Sequence, residues 1–129
     1  METLEEFVNE TREPIKNLCL KYIDEFKRCI GSHPGKQKEI NGLRLHTVQV
    51  IKKALELNQT FDKREIIEVC LVHDLKHWKS FPLTECQKMA IMATKGLRWE
   101  EWRPTKCYKF VVLILIADMW SAYLNDNNL

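Results

Sequence analysis

The sequence predicts an all-α fold. No stretch sustains the period-two alternation of a half-buried strand, whereas apolar residues recur at spacings of three and four. Only four glycines and four prolines interrupt the 129 residues. The length is that of one compact domain, residues 1–129, and an apolar fraction of 45% supplies a core without cross-links.

Five to six helices account for the pattern. The first helical stretch covers residues 4–30, and Pro14 breaks or kinks it, because proline lacks an amide hydrogen and clashes with the preceding turn. Gly31-Ser32-His33-Pro34-Gly35 reads as a turn, with His33 a surface residue in it. Asn41 is placed to N-cap a helix running to about Leu57, which the polar run Asn58-Gln59-Thr60 ends. Asp62 is the expected cap of the next helix, through about Trp78, with Glu65 at the third position completing a capping box. Pro82 lies near the start of a helix that ends around Lys95-Gly96. A Trp/Arg-rich connection, residues 97–104, leads into a last helix over about 105–123, and the polar tail 125–129 is expected to fray.

Charge and cysteine usage narrow the class. A formal net charge of +2 argues against the polyelectrolyte footprint of a protein that binds long DNA or RNA. The five cysteines are scattered and odd in number, with no CxxC pair, so reduced thiols in a cytosolic setting are expected. The segment METLEEFVNE is acidic and unlike a signal peptide, and the longest apolar run, residues 110–117, is too short to span a bilayer. A cytoplasmic protein of a bacterial or phage-infected host cell, with no membrane partner, is the expectation.

The chemistry gathers on three helices. His46 shares a helix face with Leu43 and Val50 and so points inward. His73 and Asp74 stand side by side on an apolar helical run, where neighbours about 100° apart can both reach one point beside the helix. Asp118 falls in the stripe Val111, Leu115, Asp118, Ala122, within the most hydrophobic part of the chain. Each residue alone has a plainer explanation. His46 could be a hydrogen-bonded core histidine, His73-Asp74 a helix-end pair, and Asp118 an acceptor for a tryptophan or tyrosine. One divalent cation explains all four together, since buried imidazoles and carboxylates otherwise need separate partners.

The order His46, then His73-Asp74, then Asp118 in LILIADMW resembles the H…HD…D signature of the HD-domain superfamily of metal-dependent phosphohydrolases. HDLKHW is similar to the form found in small phage and bacterial members, and the resemblance covers residues 44–123. It implies an HD-type helical domain with His46, His73, Asp74 and Asp118 as metal ligands. The implied cofactor is one divalent transition metal (Mn, Co, Ni, Fe or Zn, with Mg as an alternative). Water activated by that metal would attack phosphorus in a nucleotide or deoxynucleotide. Binuclear members carry further histidines between the HD pair and the last aspartate. Here only His77 follows, and Thr94 stands where another would be expected, so a mononuclear site is implied. Nucleotidase members often have a glutamate three residues after the HD aspartate. His77 takes that place, and because an imidazole can both accept and give a proton near neutral pH it is a candidate, beside Asp74, for orienting water or protonating the leaving oxygen. The alternative is a half-exposed histidine beside Trp78.

Phosphate calls for donors and positive charge. Arg44, Lys76, Lys95, Arg98 and Trp99 are the candidate substrate-binding residues, with Lys79, Trp102, Arg103 and Lys106 nearby in sequence. Basic residues interleaved with tryptophan can clamp phosphates and stack a base, although tryptophans equally anchor loops or fill subunit interfaces. A homo-oligomer is expected. Two other functions remain open at this level: a phosphodiesterase or nuclease acting on small or cyclic oligonucleotides, and a non-catalytic, metal-stabilised interaction domain.

Overall fold

The computed structural model describes residues 3–30 and 35–122. Among the described residues every regular element is helical: α1 (Leu4–Asn9), α2 (Ile15–Lys21), α3 (Gly42–Leu57), α4 (Lys63–Val72), α5 (Glu85–Thr94), α6 (Trp99–Trp102) and α7 (Tyr108–Trp120). Short 3-10 turns occupy Ile23–Lys27, Gly35–Lys38 and Trp78–Ser80. The expected turn residue His33, the end of the last helix at Tyr123 and the tail 125–129 lie outside the described residues.

The helix count exceeds five to six because the first expected helix divides and an expected connection gains a helical turn. Pro14 does not merely kink the first stretch; it separates α1 from α2, and the chain then tightens into the 3-10 turn Ile23–Lys27. The connection 97–104 winds one helical turn of its own, α6.

Helix ends differ from expectation in ways their hydrogen bonds explain. Asp62 does cap α4, but its Oδ1 accepts from the Arg64 amide at 2.8 Å rather than from the amide of Glu65. Asn41 occupies the N-cap position of α3 with φ 69°, a left-handed conformation asparagine tolerates, and its side chain makes no capping bond. The helix expected near Pro82 begins at Glu85. Thr84 Oγ1 accepts from the Gln87 amide at 3.1 Å while Gln87 Oε1 accepts from the Thr84 amide at 2.9 Å, a reciprocal capping box. It ends as expected: Gly96, at φ 106°, supplies the left-handed residue, and the Leu97 amide closes on the Met92 carbonyl at 2.9 Å.

The largest departure is at α4, which stops at Val72 instead of running to Trp78. The first 3-10 turn and the residue that follows it supply the competing partners. Arg28 Nη2 donates to the Asp74 carbonyl at 2.7 Å and Glu25 Oε2 accepts from the Lys76 amide at 3.0 Å, drawing the backbone out of helical pairing. His73 is consequently the C-cap residue of α4, and Asp74 has already left the helix.

α3 is the central element. It packs against α4 on one side and α7 on the other, and α5 backs α7. Leu43, Val50, Ile51 and Ala54 of α3 are fully buried against Ile66, Val69 and Cys70 of α4 and Val111 and Ile114 of α7. The corner between α1 and α2 is tied to α4 by Arg12, whose Nη2 meets Glu68 Oε1 at 2.7 Å and whose Nε and amide both donate to Oε2 at 3.0 Å. Gln87 of α5 adds a bond to the same carboxylate at 3.2 Å, which is how a glutamate with 0% side-chain exposure is accommodated.

The expectation of five reduced thiols is corrected. Cys86 and Cys107 form a disulfide (S–S 2.06 Å) between α5 and the residue preceding α7, while Cys19, Cys29 and Cys70 are free. The two partners are 21 residues apart in sequence, and only the packing of α5 on α7 brings their Cα atoms to 5.1 Å. Among the described residues no helix is long and apolar enough to cross a membrane.

Candidate metal centre

His46, His73, Asp74 and Asp118 converge where α3, the end of α4 and α7 meet, each offering a ligand atom within 4.8 Å of the others. His46 Nε2 lies 2.9 Å from Asp118 Oδ1 and 3.4 Å from Asp74 Oδ2. His73 Nε2 lies 3.1 Å from each of the same two oxygens. Both imidazoles are buried, whereas the Asp74 and Asp118 side chains remain 29% and 20% exposed. The cluster is therefore closed behind the histidines and open on the carboxylate side.

The other ring nitrogens decide what the cluster can hold. His73 Nδ1 is 2.6 Å from the Cys70 carbonyl, an acceptor only, so the proton of the neutral ring sits on Nδ1. His46 Nδ1 is 2.9 Å from Ser121 Oγ, and Ser121 in turn donates to Gln49 Oε1 at 2.8 Å. Gln37, itself buried, fixes that orientation: its Nε2 donates to Gln49 Oε1 at 2.9 Å and to the Ser121 carbonyl at 3.1 Å. Ser121 accordingly accepts from His46 Nδ1–H. Both neutral rings then turn an Nε2 lone pair onto carboxylate lone pairs, an arrangement that is repulsive without positive charge.

The electrostatics say the same. Burial pushes the His46 and His73 pKa values down, but Asp118 and Asp74 outweigh it; His46 ends above its ordinary value and His73 well above it. Burial raises both carboxylates, yet the two imidazoles outweigh it and hold Asp74 and Asp118 far below the usual carboxylate range. Two retained negative charges can be balanced by two imidazolium protons or by one divalent cation with neutral rings. Two imidazole nitrogens with two carboxylate oxygens suit a borderline transition ion better than calcium, which takes an all-oxygen set. The donor set, the tautomers and the charge all fit such an ion.

The remaining predicted residues are distributed differently. Lys95 reaches the site, with Nζ 3.8 Å from Asp74 Oδ1. Arg44 instead pairs with Glu5 at 2.7 Å, beside a depression of about 420 Å³ that none of the four ligands lines. Lys76 is exposed, and its amide donates to Glu25 Oε2. Arg98 lies on the surface 3.6 Å from Glu100, and Trp99 is exposed beneath Arg103, 4.9 Å from its ring centroid. His77 is exposed, stacks on Tyr22 with ring centroids 5.1 Å apart, and is outside the four-residue group.

Sequence reasoning missed Arg28 on the Asp74 carbonyl and the chain Ser121–Gln49–Gln37 behind His46. Ser121 stands three residues after Asp118, one turn on and just past the end of α7, which is the one signal that could have placed it near the site.

The chain matches no protein-family model, and no curated protein or solved structure proves similar to it.

Proposed function

We propose that this chain is a metal-dependent phosphohydrolase acting on nucleotides or deoxynucleotides, with one divalent transition ion held by His46, His73, Asp74 and Asp118. The observation that carries the reading is the pair of Nε2 atoms, both kept as lone-pair donors and both facing the same two ionised carboxylates. The order of the four residues, similar to the HD-superfamily signature, supports the same ligand set. When bound, the ion supplies Lewis acidity toward a phosphoryl oxygen and lowers the pKa of water.

The chain's own groups have defined tasks. His46 and His73 close the rear of the site to solvent, and their Nδ1–H bonds hold the rings in register. Asp74 uses Oδ2 toward the imidazoles, leaving Oδ1, on the Lys95 side, to accept a hydrogen bond from the attacking water. The Lys95 ammonium neutralises a phosphoryl oxygen. The reading goes with a cytoplasmic homo-oligomer; the Cys86–Cys107 bond is the observation that weighs against a reducing compartment.

A second reading, a metal-stabilised domain that works through protein contacts, is favoured by the apolar surface that Leu57, Ile116 and Met119 leave exposed. One experiment separates the two. Manganese-loaded wild type and Asp118→Ala are incubated with nucleoside mono- and triphosphates, and released phosphate or tripolyphosphate is measured. Turnover by wild type and none by the folded variant is expected; no turnover of any member overturns the hydrolase reading.

A further inference from the structure

Beside the open, carboxylate side of the cluster is a depression of about 530 Å³ walled by Trp78, Lys79, Met92, Lys95 and Leu97. Its volume is within the range of small-molecule sites, roughly 300–1,000 Å³. Lys95 belongs to both places, since its Nζ is 3.8 Å from Asp74 Oδ1 while the same residue forms the wall. Lys95 thus links the cluster to the depression and places a cation between them. Apart from Lys79, the remaining wall is apolar and aromatic. Met92 is 42% exposed on α5 and presents a long apolar side chain to the depression. Trp78 is half-buried, with the Lys79 ammonium 5.7 Å from its ring centroid.

We infer that this depression is a binding subsite for the flat, apolar half of an anionic ligand whose phosphate lies at Lys95 and the Asp74 side of the cluster. The class is a phosphate monoester or phosphonate bearing an aromatic ring. A small polyanion gains nothing from Trp78, Met92 and Leu97, and a wholly apolar ligand leaves the Lys95 charge unused. Only a molecule with a charged end and a planar body uses both parts of the wall. Trp99 and Arg98, the tryptophan and arginine the sequence favoured, do not line it.

The inference rests on the metal-centre reading for the phosphate end, so its test uses ligands that cannot be hydrolysed. Phenylphosphonate and methylphosphonate share an anionic head and differ only in the ring. Each is titrated calorimetrically into manganese-loaded wild type, Trp78→Ala, Met92→Ala and Lys95→Ala. Phenylphosphonate is expected to bind wild type about tenfold more tightly than methylphosphonate. Trp78→Ala should erase that ratio and Met92→Ala, at a more exposed position, should reduce it severalfold. Lys95→Ala should weaken both ligands equally. Equal binding of the two phosphonates, binding of neither, or a ratio that survives both Trp78→Ala and Met92→Ala overturns the subsite. Ring-selective binding without turnover of any phosphoester upholds the subsite and defeats the hydrolase reading. Turnover without ring selectivity does the reverse.

Discussion

His46 Nε2 and Asp118 Oδ1 stand 2.9 Å apart where α3 meets α7, and the contact is favourable only if positive charge lies on or between them. The reason is one turn further on, just past the end of α7. Ser121 Oγ occupies Nδ1, so a neutral His46 has no proton left to give Asp118.

Ser121 is therefore a positioning residue for the metal. Ser121→Ala should weaken metal binding by about 10–100-fold, the usual effect of removing a partner behind a ligating histidine. Ser121→Thr, which keeps the hydroxyl, should recover part of it. Competition against a chelating dye reads the affinity directly; identical affinities in wild type and Ser121→Ala would contradict the role.

Gly42 has a related task. A Cβ at this position would overlap the Gln37 carbonyl, so glycine is what lets Gln37 lie against the start of α3 and reach Gln49 and Ser121. Gly42→Ala should cost about 1–3 kcal/mol of stability in urea denaturation, as overpacking commonly does, and should lower metal affinity as well. Unchanged stability would show that the Gln37 backbone moves away freely.

Glu68 gives a pH signature independent of the metal. Burial raises its pKa, but the Arg12 guanidinium, the Arg12 amide and Gln87 outweigh that and bring it below the ordinary 4.5. A carboxylate depressed in the folded state contributes stability that is present above its unfolded pKa and is lost as pH falls through the folded one. Arg12→Ala leaves the buried charge without its main partner and should cost about 3 kcal/mol at pH 7. That deficit should narrow as pH falls below the ordinary 4.5 and Glu68 takes up its proton. A deficit that stays constant with pH would contradict the pairing.

Metal and protons compete for the same two Nε2 atoms. The His46 and His73 pKa values are raised, so in metal-free protein their stabilisation is present below about 6.5 and is lost as pH rises through the folded values. Chelator-treated protein should melt at a lower temperature at pH 9 than at pH 6, and added metal should restore the difference, most strongly at the higher pH. Melting that is indifferent to metal at pH 9 would count against a cation at the cluster.

Much of the site was legible in the chain. Inward placement of His46 follows from Leu43 and Val50 at helical spacing, and Asp118 is conspicuous because it breaks an apolar stripe. The ends of elements were less legible, because distant partners set them. α4 stops at Val72 through Arg28 and Glu25, about fifty residues away, and no local pattern records those bonds. The Cys86–Cys107 bond was hidden for the same reason, since neither spacing nor context marks one cysteine on α5 and another just before α7 as partners. Substrate residues were the least legible. A cationic or aromatic residue near a motif in sequence has only its side-chain direction to bring it to the site, and that separates Lys95 from Arg44, Arg98 and Trp99.

The most direct test of the metal centre is a calorimetric titration of chelator-treated protein with manganese or zinc, beside Asp118→Ala. Wild type should bind one ion per chain and release protons as it does so, and Asp118→Ala should lose that binding while keeping its helical circular dichroism. Wild type that takes up no ion, or an Asp118→Ala variant that binds as tightly as wild type, would contradict the assignment.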